Sequence, residues 1–215
     1  MIKRRDFSAL SMGALATVGL GLASGPLLAQ PREGAQFKKL DQRQPTDTPG
    51  KIEVVEFFRY SCPHCASFEP LLAPWVAKLP KDVAFKRVPV SFADEAGLLQ
   101  RLYYALEAMG LLEKLHAKVF IAYHGERVPM NTPDQIADWV AKQGVDRAKF
   151  LAQYSAPAID AKALRVRQLQ DAFKVEGVPA MGIAGRYYVD ADYSKTMPRM
   201  LQVADFLIAQ TRAGR

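Results

Sequence analysis

Cys62-Pro63-His64-Cys65 holds both cysteines of the 215-residue chain. Two cysteines within four residues cannot staple distant parts of a fold, so their chemistry is local. At the start of a helix, residues i and i+3 bring both sulfurs to one face of the first turn, close enough to close a 14-membered disulfide ring. There the first sulfur meets unpaired backbone N–H groups and the positive end of the helix dipole, which favour a thiolate. His64 adds to that stabilisation when it is protonated or donates a hydrogen bond. Pro63 fixes the backbone at the helix start, where its missing N–H costs nothing. A Cys62 titrating about three units below ambient pH would favour the reduced form by roughly 4 kcal/mol and raise the two-electron potential by about 90 mV. The expected chemistry is disulfide donation: a client thiolate attacks Cys62, Cys65 leaves, and a mixed disulfide passes the oxidation on. A soft metal such as Cu(I) held by Cys62, Cys65 and His64 is the competing use of the same groups. With no third cysteine, and His116 and His124 the only other histidines, a metal site is poorly supplied, and none is expected.

This chemistry needs a helix that begins at Cys62, and the flanking sequence supplies one. Lys51 to Phe58 is β-branched and aromatic, nearly continuous in apolar character, as in a strand covered on both faces. From Cys62 to Leu79 the apolar residues Phe68, Leu71, Leu72, Trp75, Val76 and Leu79 follow helical spacing, with a kink expected between Pro70 and Pro74. Val83–Val90 reads as a second strand, and strand, helix, strand implies parallel pairing. Glu56 alternates with Ile52, Val54 and Phe58, so one carboxylate shares a face with apolar neighbours. Buried there with a raised pKa, it can relay the Cys65 proton; on an edge strand it would be an ordinary exposed acid.

Residues 93–170 read as almost wholly helical. Gly110 and Gly125 end the first two helices. Thr132-Pro133-Asp134-Gln135 opens another with a capping box. Asp146 caps a further helix, expected to continue past Pro157. Strand signals return at Met181–Val189 around a turn at Ala184-Gly185-Arg186. The chain closes on an amphipathic helix striped by Met197, Met200, Leu201, Ala204, Leu207 and Ile208, and Phe37–Leu40 is an edge-strand candidate. The organisation is an α/β domain in two parts, residues 30–92 and 171–215, interrupted by a helical insertion.

Composition is globular: 49% hydrophobic, 24% charged, 14 glycines and 14 prolines. The formal charge of +7 is dispersed among acids, so no nucleic-acid partner is expected. Residues 1–29 read as an export signal, with a cationic start, an apolar stretch from Ala9 to Leu28 and a small residue, Ala29, at the end. Arg4-Arg5-Asp6-Phe7 is similar to a twin-arginine pattern, although Lys3 and Ser8 depart from it. Loss of this segment removes Lys3, Arg4, Arg5 and Asp6 and leaves +5 over 186 residues.

Glu56-Phe57-Phe58, Cys62-Pro63-His64-Cys65 and Gly177-Val178-Pro179-Ala180 together resemble the DsbA family of bacterial periplasmic thiol oxidases over about residues 35–212. The resemblance implies a thioredoxin fold with an inserted helical domain, Cys62 as exposed nucleophile, Cys65 as buried resolving thiol, and a client-binding loop at Val178 and cis Pro179. It further implies a monomeric periplasmic enzyme without a cofactor. Reduced exported proteins would be its substrates, and a quinone-linked membrane oxidase of the DsbB type would reoxidise it. A reductase or isomerase is the alternative enzyme, and a thiol-based metal- or client-binding module the alternative of another class. Arg59-Tyr60-Ser61 and Tyr187-Tyr188 would tune client choice or lie plainly on the surface. His116 and His124 read as surface or packing residues.

Overall fold

Strand β2 (Ile52–Phe58) is buried at every position and lies inside the sheet, paired on both sides. Its β-branched and aromatic residues suit a pleated surface packed on both sides. A computed structural model of the chain describes residues 30–92 and 97–214, so the expected export signal lies outside the described residues. The sheet has five strands in the order β1-β5-β4-β2-β3. Beside β2 on one side runs β3 (Val83–Pro89), parallel and in register from Ile52–Val83 to Phe58–Pro89. On the other side lies β4 (Ala180–Ile183), antiparallel, pairing Phe57 with Ala180. A tight turn with positive φ at Ala184 and Gly185 leads to β5 (Tyr187–Asp190), which pairs with the two-residue edge strand β1 (Lys38–Lys39).

Two apolar layers follow from the alternation along β2. Ile52 and Val54 pack with Phe68 and Leu72 of α1 (Pro63–Val76) and with Met200, Ala204 and Leu207 of the C-terminal helix. Val55 and Phe57 pack with the helical insertion instead, through Leu102, Leu106, Leu115 and Ile136. The insertion contains α2 (Leu98–Ala108), α3 (Leu112–Phe120), a π-helical turn (Ile121–Gly125), α4 (Pro133–Lys142), α5 (Arg147–Tyr154) and α6 (Pro157–Phe173). After β5, a short α7 (Ala191–Ser194) precedes α8 (Met197–Ala213), which buries the expected stripe from Met200 to Ile208.

Three local expectations are refined. Helix α1 runs through Pro70 and Pro74 as one element, with both prolines on its exposed side. Thr132 accepts from the Gln135 N–H at 3.2 Å as expected, but the Gln135 side chain reaches back to the N–H of Asn131 rather than Thr132. The helix capped by Asp146 stops at Tyr154, and Pro157 opens a new one. Proline disfavours helical geometry in the residue before it, and Ala156 is extended (φ −66°, ψ 136°).

Candidate active site

Strand β2 leads to the cysteines through one turn. After Phe58, the Cys62 N–H closes on the Arg59 carbonyl (3.2 Å), and Tyr60 and Ser61 occupy the corner. Cys62 is then the N-cap of α1, with extended φ and ψ, and Pro63 stands in the first turn. Both thiols are free in this structure. Cys65 is fully buried and His64 lies outside on the surface, but Cys62, expected to be the exposed thiol, is itself only 6% exposed.

The pairing of Phe57 with Ala180 carries Val178 and Pro179 to the same end of the sheet. The Val178–Pro179 peptide bond is cis. The Cys62 thiol faces the Val178 carbonyl oxygen at 3.4 Å. Residues 116 positions apart in sequence thus meet at one sulfur.

The environment divides the two thiols. Cys62 is lowered from its ordinary value to about 6, first by the hydrogen bond it receives from the Cys65 thiol, then, against the cost of burial, by the N–H groups of Cys65 and His64 and the charge of His64. Cys65 is pushed far up by burial and by its hydrogen bond to a negative neighbour. A thiolate titrating near 6 favours the reduced form at pH 7, but by less than the three-unit gap expected from the sequence would. The sequence also points to the helix N-terminus as the main cause, whereas the partner thiol dominates.

Glu56 is 1% exposed on a strand paired on both sides, which excludes the exposed-edge alternative. Burial raises it to about 8, against the attraction of Arg87 and with added repulsion from Glu69. The Arg87 Nε lies 3.1 Å from a Glu56 oxygen but out of line for a hydrogen bond, so the contact is mainly one of charge. Arg87 also donates to both oxygens of Glu69 at 2.9 and 3.0 Å. Burial pushes Glu69 up, but His116 and Arg87 outweigh it and keep the carboxylate ionised. Once ionised, Glu56 in turn raises Cys65 electrostatically, so the two groups lie close enough to interact.

A family profile described as a DSBA-like thioredoxin domain matches residues 53–202. The chain belongs to that family. It is a thiol:disulfide oxidoreductase with a thioredoxin fold and a helical insertion. It is 37% identical over 199 residues to the thiol:disulfide interchange protein DsbA of Burkholderia cepacia, covering 91% of this chain and 94% of that one. The DsbA of Pseudomonas aeruginosa is 40% identical over 84% of this chain and 86% of its own. The crystal structure of the P. aeruginosa DsbA superposes with a TM-score of 0.81, covering 84% of this chain and 94% of that one at 40% identity. That of the oxidoreductase DsbA from Xylella fastidiosa gives 0.80 at 32% identity, over 85% and 98%.

The DsbA-family motif residues therefore come to one end of the sheet: Cys65 and the Val178 carbonyl meet the Cys62 sulfur, Pro63 and the cis Pro179 flank them in sequence, His64 is exposed, and Glu56 lies close enough to act on Cys65. Several expectations change. Tyr60, Tyr187 and Tyr188 are buried, at 1%, 8% and 3% exposure, so they are core residues rather than surface. Tyr187 packs edge-on against Phe37, and Tyr188 donates to Asp190. Of the two readings of His116, surface or packing, the second holds: it is buried beside Tyr60 and Glu69. Sequence reasoning missed Glu69 and Arg87. Glu69 lies on a helix face beside Phe68, and Arg87 interrupts an apolar strand; that interruption was the only available signal. Among the described residues, no group of three or more His, Cys, Asp or Glu is placed to hold a metal ion.

Proposed function

We propose that this chain is a dithiol oxidase of the periplasm, which donates its Cys62–Cys65 disulfide to reduced exported proteins. The observation that carries this reading is the division between the thiols: a leaving group stabilised as thiolate at Cys62 and a buried, reluctant thiol at Cys65. In the oxidised protein a client thiolate attacks the Cys62 sulfur, the intramolecular S–S bond breaks, and Cys65 departs with the electron pair. Its high proton affinity demands a proton, and Glu56, held neutral up to about pH 8, supplies it. A second client thiolate then attacks the client sulfur of the mixed disulfide, and Cys62 leaves as the stabilised thiolate. The client has lost two electrons and the enzyme has gained them. Pro63 sets the helix start, His64 adds positive charge near Cys62, and the Val178 carbonyl beside Pro179 offers an acceptor to an extended client backbone. Reoxidation reverses the proton transfer, with Glu56 taking the Cys65 proton while a quinone-linked membrane oxidase of the DsbB type accepts the electrons. The enzyme acts as a monomer without a cofactor, and its α/β domain comprises residues 30–92 and 171–215, with 93–170 inserted and 1–29 removed on export.

The test is incubation of the oxidised protein with a reduced, unfolded client. Stoichiometric client disulfides and a trapped client adduct at Cys62 in Cys65→Ala are expected. A potential close to that of cytosolic reductants would overturn the oxidase reading.

A further inference from the structure

Tyr60 is held at both ends by side chains from the insertion. Its hydroxyl lies 2.7 Å from Nδ1 of His116 on α3, and its backbone carbonyl lies 2.8 Å from Nε2 of His124 in the π-helical turn. A carbonyl only accepts, so His124 carries its proton on Nε2. On His116 the other nitrogen faces the ionised Glu69 carboxylate at 3.4 Å. The tautomer that suits both neighbours has Nε2–H toward Glu69 and Nδ1 accepting from the Tyr60 hydroxyl.

The backbone is shaped to bring the two histidines to one residue. In a continuous α-helix, side chains eight positions apart are about 80° out of line. Here the N–H of Glu126 bonds the carbonyl of Ile121, five residues back, at 3.0 Å. This wide turn takes up one extra residue and swings His124 toward Tyr60. The ring of Tyr60 is enclosed by Phe58, Tyr103, His116 and Phe120, with centroids 5.0 to 6.4 Å away. Tyr60 also occupies the corner of the turn from Arg59 to Cys62 that sets the N-cap. No residue of the insertion needs to touch the sulfur to govern where it stands.

We propose that His116 and His124 are positioning residues of the redox site, gripping Tyr60 so that the turn holds the Cys62 sulfur against the N–H groups of α1. The inference rests on Cys62 being the attacking and leaving thiolate. It concerns the first tier of groups behind that sulfur rather than the reacting atoms.

The test compares His124→Ala, His124→Gln and Tyr60→Phe in the reduced full-length protein, by ultraviolet thiolate absorbance against pH and by equilibrium with glutathione. His124 is only half-buried, and Tyr60→Phe removes one oxygen while keeping the ring, so a folded variant is available either way. Glutamine places an amide N–H near the position of Nε2. Loss of either hydrogen bond should raise the Cys62 midpoint and move the glutathione equilibrium toward oxidised protein by about threefold or more, with His124→Gln within about twofold of wild type. Wild-type midpoints in both His124→Ala and Tyr60→Phe would overturn the proposal. So would a His124→Gln displaced as far as His124→Ala, because that would mark a packing role. A wild-type midpoint near that of a free cysteine would instead overturn the reading of Cys62 on which the inference rests, whatever the variants do.

Discussion

Each sulfur at the site sets the state of the other. The Cys65 thiol is the largest single stabiliser of the Cys62 thiolate, ahead of the backbone N–H groups. Cys65→Ala should therefore move the Cys62 midpoint up from about 6, whereas Cys65→Ser, which keeps a donor, should move it less; thiolate absorbance against pH reads both. An unmoved midpoint in Cys65→Ala would leave the helix N-terminus as the main cause, as the sequence alone suggests. The Cys-x-x-Cys spacing and its place after an apolar strand were legible because both are local patterns. The order of the two effects was not, because it depends on where a thiol proton points. Nor was the cluster of Glu69, Arg87 and His116, whose members come from a helix, a strand and the insertion and meet only when three elements pack.

Among the elements, strands and helices follow the periodicity of the sequence, and the departures have local physical causes. Pro157 opens a helix because proline acts on the residue before it; the π-helical turn has no sequence signature, since only its packing calls for a wide turn. Two element-level predictions follow from contacts. Thr132 caps α4 on the exposed surface, and Thr132→Ala should cost about 1 kcal/mol in urea unfolding with an unchanged redox equilibrium. Gly182 in β4 faces the Phe173 ring, and an added Cβ would lie 2.4 Å from its Cε1. Gly182→Ala should cost about 1–3 kcal/mol because the ring, packed on Phe57 at 5.2 Å, has to shift. The cost should shrink in a Phe173→Leu background, and a double-mutant cycle on thermal midpoints measures that coupling; simple additivity would show that the ring is not what resists.

For the molecule as a whole, one buried acid shapes the dependence of stability on pH. Glu56 has an ordinary value of 4.5 in the unfolded chain and about 8 in the fold, so the unfolded state releases its proton first. Below about pH 4.5 it costs nothing; as pH rises toward 8 the fold loses stability, by about 1.4 kcal/mol per unit at most. Cys62 has the opposite sign. Its lowered value stabilises the reduced fold progressively from about pH 6 upward, in full above the ordinary thiol value of 9.0, and the contribution is lost as pH falls through 6. The oxidised protein lacks that thiol, so its urea-unfolding free energy should fall between pH 5 and 8, and Glu56→Gln should flatten the slope. A slope unchanged by Glu56→Gln would show that the carboxyl is not held neutral. The sheet's two edges carry a separate consequence. One is the two-residue Lys38–Lys39, and the other bears Lys86 and Arg87 and ends at Pro89. Short, cationic and proline-ended edges discourage strand addition. The flanks of the sheet are thus closed to strand addition, so a thiol:disulfide oxidoreductase built this way does not offer its own edges to the chains it acts on.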